Sequence, residues 1–103
     1  MRRGAVMNNW HTESTDRLIK AIARVTTEEE CYALMEDLCT IKEIIDISQR
    51  LEVARLLSQN KNYLEITKQT GVSTATISRV NKCLEYGSGG YRLAIDKLKD
   101  SED

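Results

Sequence analysis

Residues 70–84 read TGVSTATISRVNKCL, and the first four of them have the properties of a tight turn between two helices. Gly71 can adopt a positive φ without strain, which a steep crossing of two helices over a short turn requires. Val72 is small and apolar, so it can fill the angle between the helices. Ser73 supplies a side-chain oxygen for the first N–H groups of the second helix, which otherwise lack partners.

Apolar residues recur on both sides of this turn at the spacing of a helix-turn-helix. Ile66 lies five residues before Gly71, and Ile77 and Val80 follow the glycine by six and nine residues. These positions fall on one face of each helix, so they predict two helices packed on a common core, the first starting near Tyr63.

The outward side chains of the second helix are suited to contact with DNA. They are short, so the helix can lie deep in the major groove, where hydroxyls can bond phosphates or bases and methyl groups can touch thymine. Basic side chains nearby can reach phosphates, and the helix N-terminus adds a partial positive charge. The predicted DNA-binding residues are Ser73, Thr74, Ala75, Thr76, Ser78, Arg79 and Lys82, with Lys68 on the first helix.

A turn of this kind also joins buried helices in many all-α proteins, so a helical protein–protein interaction module without useful DNA affinity is the alternative. The charge distribution allows both functions. The total is −1, but residues 26–46 carry seven acids against Lys42, whereas residues 1–25 and 61–82 each carry +3. Basic segments can meet phosphates, and an acidic patch would suit a protein partner.

Helical periodicity continues through most of the chain. Thr12 or Ser14 can cap a first helix, and Thr27 with Glu30 and Thr40 with Glu43 have the spacing of capping boxes for a second and a third. A last helix of about 91–99 follows the glycine-rich loop 87–90. The sequence therefore predicts an all-α protein of about six helices: a flexible segment 1–11, a single domain 12–100 with a helix-turn-helix at about 63–86, and a frayed tail 101–103.

The third helix, about 41–59, has an unusually wide apolar surface. The residues that form it are Ile41, Ile44, Ile45, Ile47, Leu51, Val53, Ala54, Leu56 and Leu57. A chain of 103 residues has a thin core, so we expect a second subunit to cover part of this surface. The alternative is a central helix wrapped by its own chain.

Several classes of protein are disfavoured. The three cysteines, Cys31, Cys39 and Cys83, have no CxxC spacing, and His11 is the only histidine, so a zinc site is not expected. We expect reduced thiols packed as small apolar groups. No nucleophile has an evident base, so we expect no enzyme. Without a signal peptide or a run of roughly 18 apolar residues, we expect a cytoplasmic protein with no membrane partner.

Three stretches resemble the bacterial Trp repressor: LCT at 38–40, QRLEVARLL at 49–57 and TATISR at 74–79. Combined with LEYG at 84–87, they look closest to the Trp-repressor-related helix-turn-helix proteins of Gram-positive bacteria, and the resemblance spans about half the chain. It implies an intertwined all-α homodimer that binds double-stranded DNA as a sequence-specific transcription regulator. Two reading heads would contact an inverted repeat whose half-sites lie about one helical turn apart.

The resemblance also implies a ligand pocket. The two arginines that flank the bound indole in the Trp repressor match Arg50 and Arg79, and backbone carbonyls near Thr40 would hold the ligand's amino group. Val80 stands where that family has glycine, and Cys83 where it has serine. Valine fills space that the ligand needs, and cysteine is a poorer hydrogen-bond partner. These departures argue against tryptophan and leave open another small-molecule effector or none.

The first helix of the motif departs from the Trp repressor as well. Leu64 and Thr67 lie near positions where that family carries long basic or polar residues that reach DNA. The DNA sequence that this chain prefers should therefore differ.

Overall fold

Six α-helices form the regular secondary structure of residues 10–102, which are the residues that the computed structural model describes. They are α1 (Glu13–Arg24), α2 (Glu28–Leu38), α3 (Ile41–Ser58), α4 (Tyr63–Thr70), α5 (Thr74–Tyr86) and α6 (Gly90–Glu102). The all-α prediction and the number of helices are confirmed. The predicted flexible segment 1–11 falls mostly outside the described residues. The helices group into two units, of which the first ends at Thr40 and the second begins at Ile41.

In the first unit, Thr12 rather than Ser14 caps α1. Its hydroxyl accepts a hydrogen bond from the Thr15 N–H at 3.2 Å, and the Thr15 hydroxyl oxygen accepts one from the Thr12 N–H at 2.7 Å. Two N–H groups that a helix start would leave unpaired are thereby satisfied. The apolar face of α1 is only partly covered, since Leu18 is 37% and Ile22 47% exposed.

The predicted capping box at α2 is only half formed. The Thr27 hydroxyl accepts from the Glu30 N–H at 3.1 Å, as expected. The Glu30 carboxylate, however, accepts from the N–H of Thr26 and not from that of Thr27. Because the glutamate side chain is long, it can reach one residue further back along the chain. Three acids in the first turn, Glu28 to Glu30, lie at the positive end of the helix dipole.

In the second unit, the C-terminal half of α3 lies at the centre of the core. The helices α4, α5 and α6 all pack against it. The buried side chains are Val53, Ala54, Leu56, Ile66, Val72, Ile77, Val80, Leu84 and Ile95. Near the N-terminal end of α3, by contrast, Ile41 is 78%, Ile45 50% and Ile47 43% exposed. The chain therefore covers the wide apolar surface of α3 at one end more fully than at the other.

The helix α6 is longer than predicted. It begins at Gly90 and continues to Glu102, and the Ser101 hydroxyl donates to the Leu98 carbonyl at 3.0 Å. Ser101 and Glu102 therefore belong to α6 in the structure, and fraying of the tail 101–103 stays a prediction. Ile95 is buried on the inward side of the helix.

The expected packing of the cysteines is wrong for two of the three, and none of the three is part of a disulfide in the structure. Cys31 and Cys83 are exposed, and Cys39 is half-buried. Cys83 precedes the buried Leu84, but helical spacing turns its side chain to the solvent side of α5. No core side chains lie on that side for a small apolar group to pack against. Among residues 10–102, no helix combines the length and apolar character needed to cross a membrane.

Candidate nucleic-acid interface

The first helix of the predicted motif, α4, begins with a reciprocal cap. The Asn62 side chain accepts from the Glu65 N–H at 2.9 Å, and the Glu65 carboxylate accepts from the Asn62 N–H at 2.9 Å. An asparagine followed three residues later by glutamate is the sequence signal of this capping box, beyond the two boxes predicted above. It fixes the point at which the chain enters the motif.

The turn after α4 has the predicted geometry. Gly71 ends the helix with φ +75° and ψ 5°, which is the left-handed region. The Thr70 hydroxyl donates to the Ile66 carbonyl at 2.8 Å and accepts from the Val72 N–H at 3.1 Å. Val72 is 8% exposed, so it fills the angle between the helices as expected.

The second helix of the motif, α5, starts at a serine cap. The Ser73 hydroxyl oxygen accepts from the Thr76 N–H at 3.3 Å, and the same hydroxyl donates to the Thr76 hydroxyl oxygen at 3.2 Å. Both hydroxyls therefore take part in the start of the helix. This confirms the predicted cap, and it means that any contact of Ser73 or Thr76 with DNA must share these groups with the cap.

The inward residues hold α5 against the core. Ile66 and Ile77 are fully buried, and Val80 is 1% and Leu84 7% exposed. They come from both helices of the motif, and α5 contacts α3, α4 and α6. Buried apolar side chains of this size each contribute about 1.5–3 kcal/mol relative to exposure. The orientation of α5 within its unit is therefore set by tight packing.

The outward residues leave one side of α5 open to solvent. Of the predicted DNA-binding residues, Thr76 is half-buried and the others are exposed: Ser73, Thr74, Ala75, Ser78, Arg79 and Lys82 on or beside α5, and Lys68 on α4. Within residues 10–102, the side chains of Arg79, Lys82 and Lys68 make no hydrogen bond or ion pair. These three cations are available to phosphates. Their role in DNA binding stays a prediction.

The residues predicted to form a ligand pocket have dissimilar surroundings. Val80 is buried in the core of the second unit, whereas Arg50, Arg79 and Cys83 are exposed on helices of the same unit. Thr40 is the last residue of the first unit. The valine side chain is thus used for packing, and the pocket itself stays a prediction.

Leu64 and Thr67, the two residues of α4 that depart from the resemblance, differ in exposure to solvent. Leu64 is 65% exposed on the outer side of the helix. The Thr67 hydroxyl is buried and has no hydrogen-bond partner among the described residues. Leu64 could therefore meet a partner surface, but the Thr67 hydroxyl faces the interior.

Comparison with known proteins identifies the family. Residues 13–99 match the family model described as Trp repressor protein. The chain is 49% identical over 87 residues to YerC of Bacillus subtilis (strain 168), an uncharacterized protein, and the match covers 84% of each chain.

Two crystal structures have the same fold. One is of a TrpR-like protein from Eubacterium eligens ATCC 27750, with a TM-score of 0.81 and 45% identity, covering 85% of this chain and 91% of that one. The other is of a candidate Trp repressor from Staphylococcus aureus, with a TM-score of 0.81 and 40% identity, covering 86% and 89%. The chain belongs to the Trp repressor family.

Proposed function

We propose that this protein is a sequence-specific DNA-binding transcription regulator that acts as a homodimer on an inverted repeat. The observation that carries the proposal is the open side of α5, which we call the reading face: Thr74, Ala75, Ser78, Arg79 and Lys82. Short side chains there would let the backbone approach the floor of the major groove. The two cations at its edge would contact phosphates on either side.

The homodimer is supported by the apolar side chains that stay exposed. On α1 they include Ile19 and Ile22, and on α3 Ile41, Ile45 and Ile47. Exposed apolar surface of this extent on a small chain is typical of an interface. In a symmetric dimer the two reading faces would be related by a two-fold axis. An operator of matching symmetry, with half-sites about 34 Å apart, would then be contacted by both.

We further propose that DNA binding does not require tryptophan. In this chain Val80 is part of the core that holds α5, with neighbours such as Ile77 and Leu84. A helix already fixed by packing has less need of a ligand to set its orientation, because the conformational cost of ordering it has been met in folding. Another small-molecule effector would have to bind away from Val80, for example at the dimer interface.

The test is the salt dependence of duplex binding, compared between wild type and Arg79→Ala. Wild-type affinity should fall steeply with salt, as counterions are released from DNA. Loss of one phosphate contact should weaken binding by about tenfold. It should also make the negative slope of log K against log salt less steep by about 0.9. Lys99→Ala removes an exposed cation from α6 instead and should bind as wild type does. Equal binding by Arg79→Ala and wild type would show that the reading face is misplaced.

The interaction module is kept as a second candidate because of one observation. The acids Glu28, Glu29, Glu30, Glu36 and Asp37 are exposed on α2, which forms an acidic surface suited to a basic protein partner. The same titration separates the two functions. Absence of salt-dependent binding to any duplex would favour the module.

A further inference from the structure

The C-terminal end of α5 is held from outside the helix. In the last turn of a helix the carbonyl groups lack intrahelical partners. The Cys83 carbonyl accepts from the Gly87 N–H at 2.8 Å, which is the last bond of the helical series. The next carbonyl, that of Leu84, accepts from the Nε–H of Arg92 at 3.2 Å, across eight residues of sequence. A side chain of α6 therefore continues the hydrogen bonding where the α5 backbone stops.

The hydrogen bond from Arg92 compensates for a missing positive charge at the C-terminal end of α5. The last turn of the helix contains no basic residue, although its partial negative charge favours one, and Glu85 adds a further negative charge there. Leu84 is 7% exposed, so its surroundings offer little water to its backbone. A guanidinium satisfies the carbonyl and offsets the charge at the same time.

The position of Arg92 is unfavourable for its own helix. It lies in the first turn of α6, where a cation opposes the helix dipole, and that turn has no acidic residue to balance it. Asp96, four residues further along α6, has the spacing of a helical ion pair with Arg92, but the two side chains form none in the described chain. Among residues 10–102, the Leu84 carbonyl is the partner that the Arg92 side chain contacts. The arginine is thus better explained by what it does for α5.

The connection between the two helices brings Arg92 into reach. A Cβ added to Gly87 would clash with the Cys83 carbonyl oxygen, so a side chain at this position is incompatible with the way the chain leaves α5. Gly89, directly before α6, has φ +88°, a conformation that glycine adopts without strain. Farther along α6, Ile95 is buried in the core. The first turn of α6 is thereby placed beside the end of α5.

We propose that Arg92 is a positioning residue for DNA reading: it ties the C-terminal end of α5 to α6 and so holds that end in the orientation that core packing gives the reading face. The inference rests on the proposed function. The proposed role of Arg92 differs from that of a phosphate-binding residue, because the Arg92 side chain acts on α5 through the Leu84 carbonyl and does not contact DNA. Cations that contact DNA change the salt slope of binding, whereas a residue that orients the helix changes affinity without changing that slope.

The experiment compares Arg92→Met with Lys97→Met. Both remove one cation from α6 and keep an unbranched side chain, but Lys97 is exposed and makes no hydrogen bond or ion pair in the described chain. Each variant is titrated against a duplex selected by the wild-type protein, at several salt concentrations and well below its unfolding temperature. Amide hydrogen exchange in the last turn of α5 is measured in the same samples without DNA.

Arg92→Met should bind the duplex about tenfold more weakly with an unchanged salt slope. Its amides in the last turn of α5 should exchange faster, Arg92→Lys should recover part of the affinity, and Lys97→Met should match wild type. Wild-type affinity in Arg92→Met would overturn the inference, as would an equal loss in Lys97→Met. A salt slope lower by about 0.9 would overturn it too, because Arg92 would then contact phosphate.

Failure of the proposed function has a different signature. In that case the wild-type protein binds no duplex at any salt concentration, and the role of Arg92 in DNA reading falls with it. Where wild type binds and only the variants behave contrary to expectation, the reading face stands and the role of Arg92 is wrong. Unchanged exchange in the last turn of α5 of Arg92→Met would refute the tie between the helices in either case.

Discussion

The Gly71 N–H donates to the Thr67 carbonyl at 2.8 Å, and this bond closes α4 at a residue whose φ is +75°. This left-handed conformation ends α4 and redirects the chain toward α5. An added Cβ would meet no atom within 4 Å, so the demand for glycine comes from the backbone angle alone. Gly71→Ala should therefore lower the free energy of unfolding by about 1–2 kcal/mol.

The matched control for that variant is Gly90→Ala. Gly90 also has no atom within 4 Å of an added Cβ, but its φ is not in the positive range and it lies at the start of α6. Alanine there should be neutral or stabilising by a few tenths of a kcal/mol. Urea unfolding at one fixed protein concentration measures both. Equal effects of the two substitutions would contradict the role assigned to the backbone of Gly71.

Two threonines of α4 should respond oppositely to the same substitution. The Thr67 hydroxyl is buried without a partner in the described residues, whereas the Thr70 hydroxyl makes two hydrogen bonds, to the Ile66 carbonyl and from the Val72 N–H. Thr67→Val removes an unsatisfied polar group and should stabilise the protein by about 1 kcal/mol.

Thr70→Val should destabilise the protein by about 1–2 kcal/mol, since it leaves the Val72 N–H without its partner. The two variants can be compared in one series of thermal and urea unfolding measurements. A loss of stability in Thr67→Val as large as that in Thr70→Val would mean that the Thr67 hydroxyl has a partner, such as a bound water.

The reciprocal cap at α4 predicts non-additive effects. Asn62→Ala should cost about 1 kcal/mol, because the Glu65 N–H loses its acceptor. Glu65→Ala should cost less, and the double variant should cost less than the sum of the two, as expected for groups that act together. A double-mutant cycle by urea unfolding gives the coupling free energy. A coupling of zero would show that the two hydrogen bonds form independently.

One ion pair makes stability depend on pH. Arg55 donates two hydrogen bonds to the Glu52 carboxylate on α3, at 2.6 Å and 3.1 Å. These hydrogen bonds, with the nearby positive charge, hold the pKa of Glu52 below its ordinary value against the opposing effect of partial burial. Because the folded-state pKa is the lower one, the contribution of the pair is complete above the unfolded value of about 4.3 and is lost as the pH falls through the folded value.

The difference in unfolding free energy between wild type and Arg55→Met should therefore be greatest near neutral pH and should shrink below about pH 4.3. Since both side chains are partly exposed, the effect should be small. In a Glu52→Gln background, Arg55→Met should produce no such pH dependence. A difference that stays constant from pH 7 to pH 3 would rule out Glu52 as the titrating group.

The features of this fold that were predictable from sequence are those determined within a few residues. The positive φ of Gly71, the burial of Val72 and the cap at Ser73 follow from local stereochemistry, and the burial of Ile77 and Val80 follows from helical spacing. The candidate reading face follows from the same spacing, since the residues between the inward ones must point outward.

Other features depend on the conformations and partners of individual side chains in the folded chain. Local sequence patterns do not determine these conformations and partners. The Glu30 side chain is long enough to accept a hydrogen bond from the N–H of Thr27 or of Thr26, and in the structure it accepts from Thr26. The hydrogen bond from Arg92 to the Leu84 carbonyl needs the first turn of α6 to lie beside the last turn of α5, for which no local pattern exists. The burial of the Thr67 hydroxyl likewise depends on how α4 rests on its neighbours.

The measurement that tests the central proposal is selection of bound duplexes from a random DNA pool by the purified wild-type protein, at moderate salt, with and without tryptophan. We expect enrichment of the same inverted repeat in both arms, with half-sites about 34 Å apart. Enrichment only with tryptophan would contradict the proposed independence from that ligand. No enrichment in either arm would contradict sequence-specific DNA binding by the reading face.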